Sequence, residues 1–156
     1  MSIQSRASTE TFIIREATAG DAPAIRNLIR AVRINPFGLD WRRFVVASTP
    51  EGQIIGCGQV KLHPDGTREL ASIAVRGGWR RRGIAREVIQ RLMASHPGSL
   101  YLTCRARLGK FYAKFGFRRV EPAEMPAHYR RLQRLIRVLR NLKLLGEDLW
   151  VMRADN

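Results

Sequence analysis

Cysteine is scarce in this chain: Cys57 and Cys104 are the two in 156 residues. They form no close metal-type pair and are too few for a disulfide framework, so a reduced, intracellular setting is expected. Long apolar runs are missing too, and none approaches the ~20 residues that a membrane span needs. Residues 1–10 are polar and lack the apolar core of a signal peptide. They are expected to be disordered, and the protein to be cytoplasmic. Internal repeats and low-complexity tracts are absent. Acidic residues are few, 13 against 28 basic ones, which leaves a net charge of +15. Lysine is rare as well, four against 24 arginines. Such a balance invites a polyanionic partner. The arginines are nonetheless spread along the whole chain, and no recognised RNA- or DNA-binding motif gathers them. Charge alone does not assign nucleic acid.

What is present suits one domain over residues 1–156, long enough for a sizeable core. Residues 12–15 read as a strand. Asp21 is a good N-cap and Pro23 is tolerated in the turn after it. Ile25, Leu28, Ile29 and Val32 then make a helical stripe that Asn35-Pro36 ends. Residues 44–47 and 53–62 predict a hairpin turned by Pro50-Glu51-Gly52. His63 falls in the next turn, His63-Pro64-Asp65-Gly66, and is expected to be exposed and without chemistry. Residues 100–104 read as a strand. Leu108, Phe111, Tyr112 and Phe115 mark a helical face closed by Gly116. A last helix carries the stripe Leu132, Leu135, Ile136, Leu139 and Leu142, with Arg130, Arg131, Arg134, Arg137 and Arg140 on its other faces. That stripe is expected to pack on the sheet while the arginines meet water. Residues 149–152 close the chain as a strand. The order β-α-β-β-β-α-β-α-β, then a helix and a strand, predicts a mixed-sheet α/β fold.

The stretch that organises the rest lies between residues 69 and 93. Leu70 to Val75 is a short, β-favouring apolar run. After Gly83, the pairs Ile84/Ala85, Val88/Ile89 and Leu92/Met93 recur four apart and draw one stripe along a helix. His96 falls at the end of that helix. Backbone N–H groups at a helix start have no partner inside the helix and carry partial positive charge. A diphosphate suits them, since it brings acceptor oxygens and negative charge together. Gly83 lets a ligand approach the backbone closely, and Arg80, Arg81 and Arg82 add fixed charge around it.

Arg80-x-x-Gly83-x-Ala85, after a strand ending in Ala-Val, resembles the acetyl-coenzyme A motif of the GNAT superfamily of N-acetyltransferases. Phe111-Tyr112-Ala113-Lys114-Phe115-Gly116-Phe117 resembles that family's second signature, and the two occur in the family's order. The resemblance implies a mixed, mostly antiparallel central sheet flanked by helices, here with an extra basic C-terminal helix before the last strand. It implies acetyl-CoA as cosubstrate, with no metal. The pantetheine arm would lie along open backbone at Ile73, Ala74 and Val75, and the diphosphate at residues 80–85, including the amides of Ile84 and Ala85. Two departures stand out. Gly77-Gly78 replace a polar-proline turn, and Arg105 stands where many relatives have an asparagine that holds the coenzyme; Arg105 is expected to meet a phosphate instead.

Amine acetylation needs a held donor, a neutral amine and a proton for the departing thiolate. A lysine-like amine is mostly charged at pH 7, and neutralising it costs about 4 to 5 kcal/mol. By the resemblance, Glu69 at the start of the central strand is the candidate base; the competing role is a surface ion pair with Arg68. Tyr112, the signature tyrosine, is the candidate acid. Phe37 and Trp41 either wall the acceptor site, as their loop does in the family, or plug the core edge. The expected partner is an amine-bearing small molecule or protein, with a homodimer left open. The alternative from another class is a non-catalytic basic module on the same fold, binding RNA, ribosome or another anionic partner. A third reading lays the basic terminal helix on an anionic membrane.

Overall fold

The computed structural model describes residues 11–144 and 146–156, and the disorder expected of residues 1–10 lies outside them. Eleven helices and strands follow in chain order. They are β1 (Ile13–Glu16), α1 (Ala22–Ala31), β2 (Phe44–Ser48), β3 (Ile54–Leu62), β4 (Arg68–Val75), α2 (Ile84–Ser95), β5 (Ser99–Arg105), α3 (Gly109–Ala113), β6 (Arg118–Arg119), α4 (Ala127–Asn141) and β7 (Leu149–Asp155). The strands form one sheet in the order β1-β2-β3-β4-β5-β7-β6. Every neighbouring pair is antiparallel except β4 and β5, which run parallel. The mixed-sheet α/β fold expected from the element order, mostly antiparallel as the resemblance implies, is the fold observed.

Side-chain alternation divides the core between the two faces of the sheet. On one face Val88, Ile89 and Leu92 of α2 pack with Val45, Ile55, Leu70, Leu100 and Leu102. Helix α2 can lie close because β3 carries glycines beneath it: a Cβ added at Gly58 would sit 2.5 Å from Ile73 Cδ1 and 2.9 Å from Val88 Cγ1. On the other face Ile25, Leu28 and Ile29 of α1 pack with Phe44, Val46, Cys57 and Ala74. Tyr101 alternates with Leu100 and Leu102, so it points to the α1 face. There it meets Tyr129 of α4, with Val120, Met125 and Val151. Helices α1 and α4 therefore share a face, one over β2–β4 and the other over β5 and β7.

Several expectations change in detail. Asp21 stands at the N-cap of α1, yet its carboxylate makes no cap bond to that helix. It accepts from the Thr18 amide and from the Arg15 guanidinium at 2.7 Å each, because Arg15 of β1 supplies a full charge where an amide supplies a partial one. The α1 helix ends at Ala31, before Asn35-Pro36, where Arg33 takes a positive φ of 56°. The helix read over 108–115 is shorter: Leu108 belongs to a 3-10 turn, α3 stops at Ala113, and Gly116 makes the following turn at φ 88°. The stripe of α4 is only partly covered. Leu132 packs on the Tyr101–Tyr129 cluster, but Leu135 is 55% and Leu142 62% exposed. The cluster on the sheet reaches along this helix only to Leu132; beyond it Ile136 and Leu139 are half-buried and the rest of the stripe is open.

Candidate active site

Strands β4 and β5 are paired at one register position, Glu69 opposite Tyr101. Beyond it they part. On its other edge β4 stays bonded to β3 as far as Val75 opposite Gly56. On its far edge β5 stays bonded to β7 along its whole length. A slot therefore opens between β4 and β5, along Ile73, Ala74 and Val75, with backbone groups on the β5 side of β4 left for a guest. Between Cys57 and Gln59 the β3–β4 register slips by one residue, and Ser72 takes the extra place with φ 59°. This bulge turns Ser72 and Ala71 to the α1 face just where the slot begins.

The slot leads to the start of α2. Gly83 is the N-cap residue, in the left-handed conformation at φ 83°, and a Cβ there would meet nothing within 4 Å. Glycine is therefore required by the turn, which aims the first-turn amides of Ile84 and Ala85 outward. Arg80, Arg81 and Arg82 are exposed around this turn, and Arg82 lies over the Trp79 ring at 4.8 Å. Fixed positive charge and open amides thus meet at one end of the slot. Arg105, at the end of β5, is exposed and pairs with Glu147 at 3.5 Å, beside Arg107.

At the other end lies a polar cluster on the α1 face. Glu69 does not pair with Arg68, whose guanidinium instead donates to the carbonyls of Pro97 and Ser99. Its partner is His63, Nε2 to Oε2 at 2.6 Å, with both side chains less than a fifth exposed. The expectation that His63 sits uselessly in an exposed turn is thus corrected. The turn brings β4 back antiparallel to β3 with Lys61 opposite Glu69, so His63, two residues on, lies diagonal to Glu69 on the same face. His128 of α4 stacks on His63 with centroids 3.7 Å apart. Burial, then the neighbouring His63, holds the His128 imidazole below the usual histidine range. Its backbone N–H donates to Asp65 Oδ2, which ties α4 to the turn.

The opposite wall comes from β3 and the loop after α1. Gln59 is fully buried, and its amide donates to Ser72 Oγ at 2.9 Å and to the Gly38 carbonyl at 3.2 Å. Lys61 donates to the Phe37 carbonyl. Of the two loop aromatics, Trp41 packs against the α1 core while Phe37 is 76% exposed. Trp41 thus plugs the core edge and Phe37 does not. Three buried polar atoms on this face, Gln59 Oε1, Thr103 Oγ1 and the Tyr129 hydroxyl, have no partner among the described residues. Buried polar atoms left over in this way mark space for a polar guest. Gln59, Ser72, Thr103 and Tyr129 carry no sequence signal for this role, since each depends on alternation, a bulge or a distant helix.

Tyr112 lies on the α2 side of the sheet, with Cys104 close by, and burial pushes its hydroxyl up to about 12. It stays protonated at neutral pH and can donate a hydrogen bond. Cys57 and Cys104 are also buried, with thiols pushed up to about 12 and 11 by the same cause. Both thiols therefore stay protonated at neutral pH.

A strand that parts from a parallel neighbour and runs into a glycine-capped helix under three arginines suits a long anionic ligand laid against open backbone. Residues 40–119 match the acetyltransferase (GNAT) domain. The chain belongs to the GNAT acetyltransferase family. Among solved structures, Rv2747 from Mycobacterium tuberculosis, in complex with CoA, is similar with a TM-score of 0.69 at 21% identity, covering 92% of this chain and 99% of that one. N-acetylglutamate synthase from Neisseria gonorrhoeae, complexed with coenzyme A and N-acetyl-glutamate, superposes with a TM-score of 0.71 at 19% identity. That match covers 92% of this chain but 35% of the synthase. A GNAT-family acetyltransferase from Staphylococcus aureus matches at 15% identity and a TM-score of 0.64, covering 92% of this chain and 98% of that one. At these identities the likeness is one of fold. No curated protein sequence matches the chain. Among the described residues, no helix is long and apolar enough to cross a membrane.

Proposed function

We propose that the protein transfers an acetyl group from acetyl-CoA to a primary amine. The observation that carries this reading is the slot between β4 and β5, which runs between the open amides at Gly83 and the polar cluster around Glu69. Membership of the GNAT family and the coenzyme present with Rv2747 support the donor. Acetyl-CoA supplies the activated acyl group. Its diphosphate is held by the amides of Gly83, Ile84 and Ala85 with Arg80, Arg81 and Arg82 around them, and its pantetheine arm by the backbone of Ile73–Val75. Arg105 meets a phosphate on leaving Glu147.

The protein's own groups do the rest. Glu69 takes the proton of the ammonium, directly or through water, and His63 fixes the orientation of its carboxylate. Tyr112 donates toward the sulfur that departs. With both cysteines buried and protonated, the acetyl group passes directly to the amine without resting on the protein. Much of the rate gain comes from holding the two reactants together. The test is thermal: acetyl-CoA should raise the melting temperature, after which thiol release is screened against amine acceptors. Glu69→Gln should keep the thermal shift and lose roughly 100-fold in turnover. No thermal shift with acetyl-CoA would refute the donor; full turnover in Glu69→Gln would refute the base.

A further inference from the structure

The chain has three histidines, and two of them meet at Glu69. An orienting partner for the carboxylate needs His63 alone, so His128 is left unexplained. It comes from a different element, α4, and is anchored there by its backbone bond to Asp65. The nearly parallel rings, 20° apart, present their edges side by side next to the carboxylate. One ligand atom from each of His63, Glu69 and His128 lies within 4.8 Å of the others.

We propose that His63, Glu69 and His128 form a binding site for a divalent transition metal of the zinc type. Two imidazoles and one carboxylate are a borderline donor set, which zinc accepts readily and which magnesium or calcium, wanting oxygen alone, does not. Bonds of about 2 Å to a tetrahedral ion put ligand atoms about 3.3 Å apart. The triad reaches that spacing by ring shifts on the order of an ångström, while the His63–Glu69 hydrogen bond opens to admit the ion. Competing donors are few. Both cysteines are buried, and His96 has its Nδ1 engaged with the Leu92 carbonyl.

Metal on Glu69 draws electron density from the carboxylate and leaves it too weak a base for the amine's proton. Zinc therefore switches acetyl transfer off. This consequence rests on Glu69 being the base; the site itself does not. The experiment is calorimetric titration of the metal-stripped full chain with zinc chloride, run beside the acetyl-transfer assay. One-to-one binding is expected, weakened roughly tenfold or more in His63→Gln and in His128→Gln but unchanged in His96→Gln. His128→Gln should fold, and its acetyl-transfer rate, read against its own zinc-free value, should resist zinc. Absence of saturable binding at high micromolar zinc, or equal binding in wild type and both site variants, overturns the proposal. Binding that the variants lose, with no inhibition in wild type, upholds the site and counts against Glu69 as the base.

Discussion

Tyr112 and Asp21 show what a single side chain contributes in this protein. Burial holds the Tyr112 hydroxyl near 12, so it is a neutral donor through the whole physiological range. Tyr112→Phe keeps the ring packing on Phe117 and removes the donor. Steady-state kinetics should show turnover down roughly 100-fold with acetyl-CoA affinity nearly intact. Asp21 is a stability residue. Its side chain is 11% exposed, and the Arg15 hydrogen bond, aided by Thr18, pulls its carboxyl down to about 2. The folded value lies below the unfolded one of about 3.9, so the stabilisation is complete above that pH and fades as pH falls through about 2. Asp21→Asn should cost about 2 kcal/mol at pH 7 by urea unfolding, and the gap should close toward pH 2.

Helix α4 is two segments in energetic terms. Its first turns carry Tyr129, fully buried and stacked on Tyr101, whereas Leu135, Val138 and Leu142 stand more than half exposed. Tyr129→Ala should cost about 3 to 5 kcal/mol, and Leu142→Ala less than about 0.5, in the same denaturation series. Sequence periodicity could not separate these halves. The stripe is equally regular throughout, but how far the cluster on the sheet reaches along it is a tertiary fact. The same limit explains the site. Gly83 and the residues after it were legible because a turn-to-helix signal is local. The bulge at Ser72, which swings β4 residues to the other face, was not, because it arises from slippage against β3. His63 was misjudged for a related reason: Pro64, Asp65 and Gly66 are sound turn signals, yet nothing local says that a helix more than sixty residues later will cover that turn.

For the molecule as a whole, the excess of arginine sets how anions arrive. A net charge of +15 surrounds a slot entrance that already bears three arginines. Association with a polyphosphate coenzyme should be electrostatically steered, so stopped-flow on-rates for acetyl-CoA should fall steeply as salt rises, while dissociation changes little. The sheet order has an effect of another kind. Strand β7 is inserted between β5 and β6, although it is the last strand the chain reaches. As the ribosome extrudes the chain, each of β2 to β4 follows the strand it pairs with. Strand β5 emerges with one edge bare until residues 149–155 follow it. The outer wall of the slot is thus completed last in biogenesis. Nascent protein stalled before that point should present an unpaired edge to chaperones.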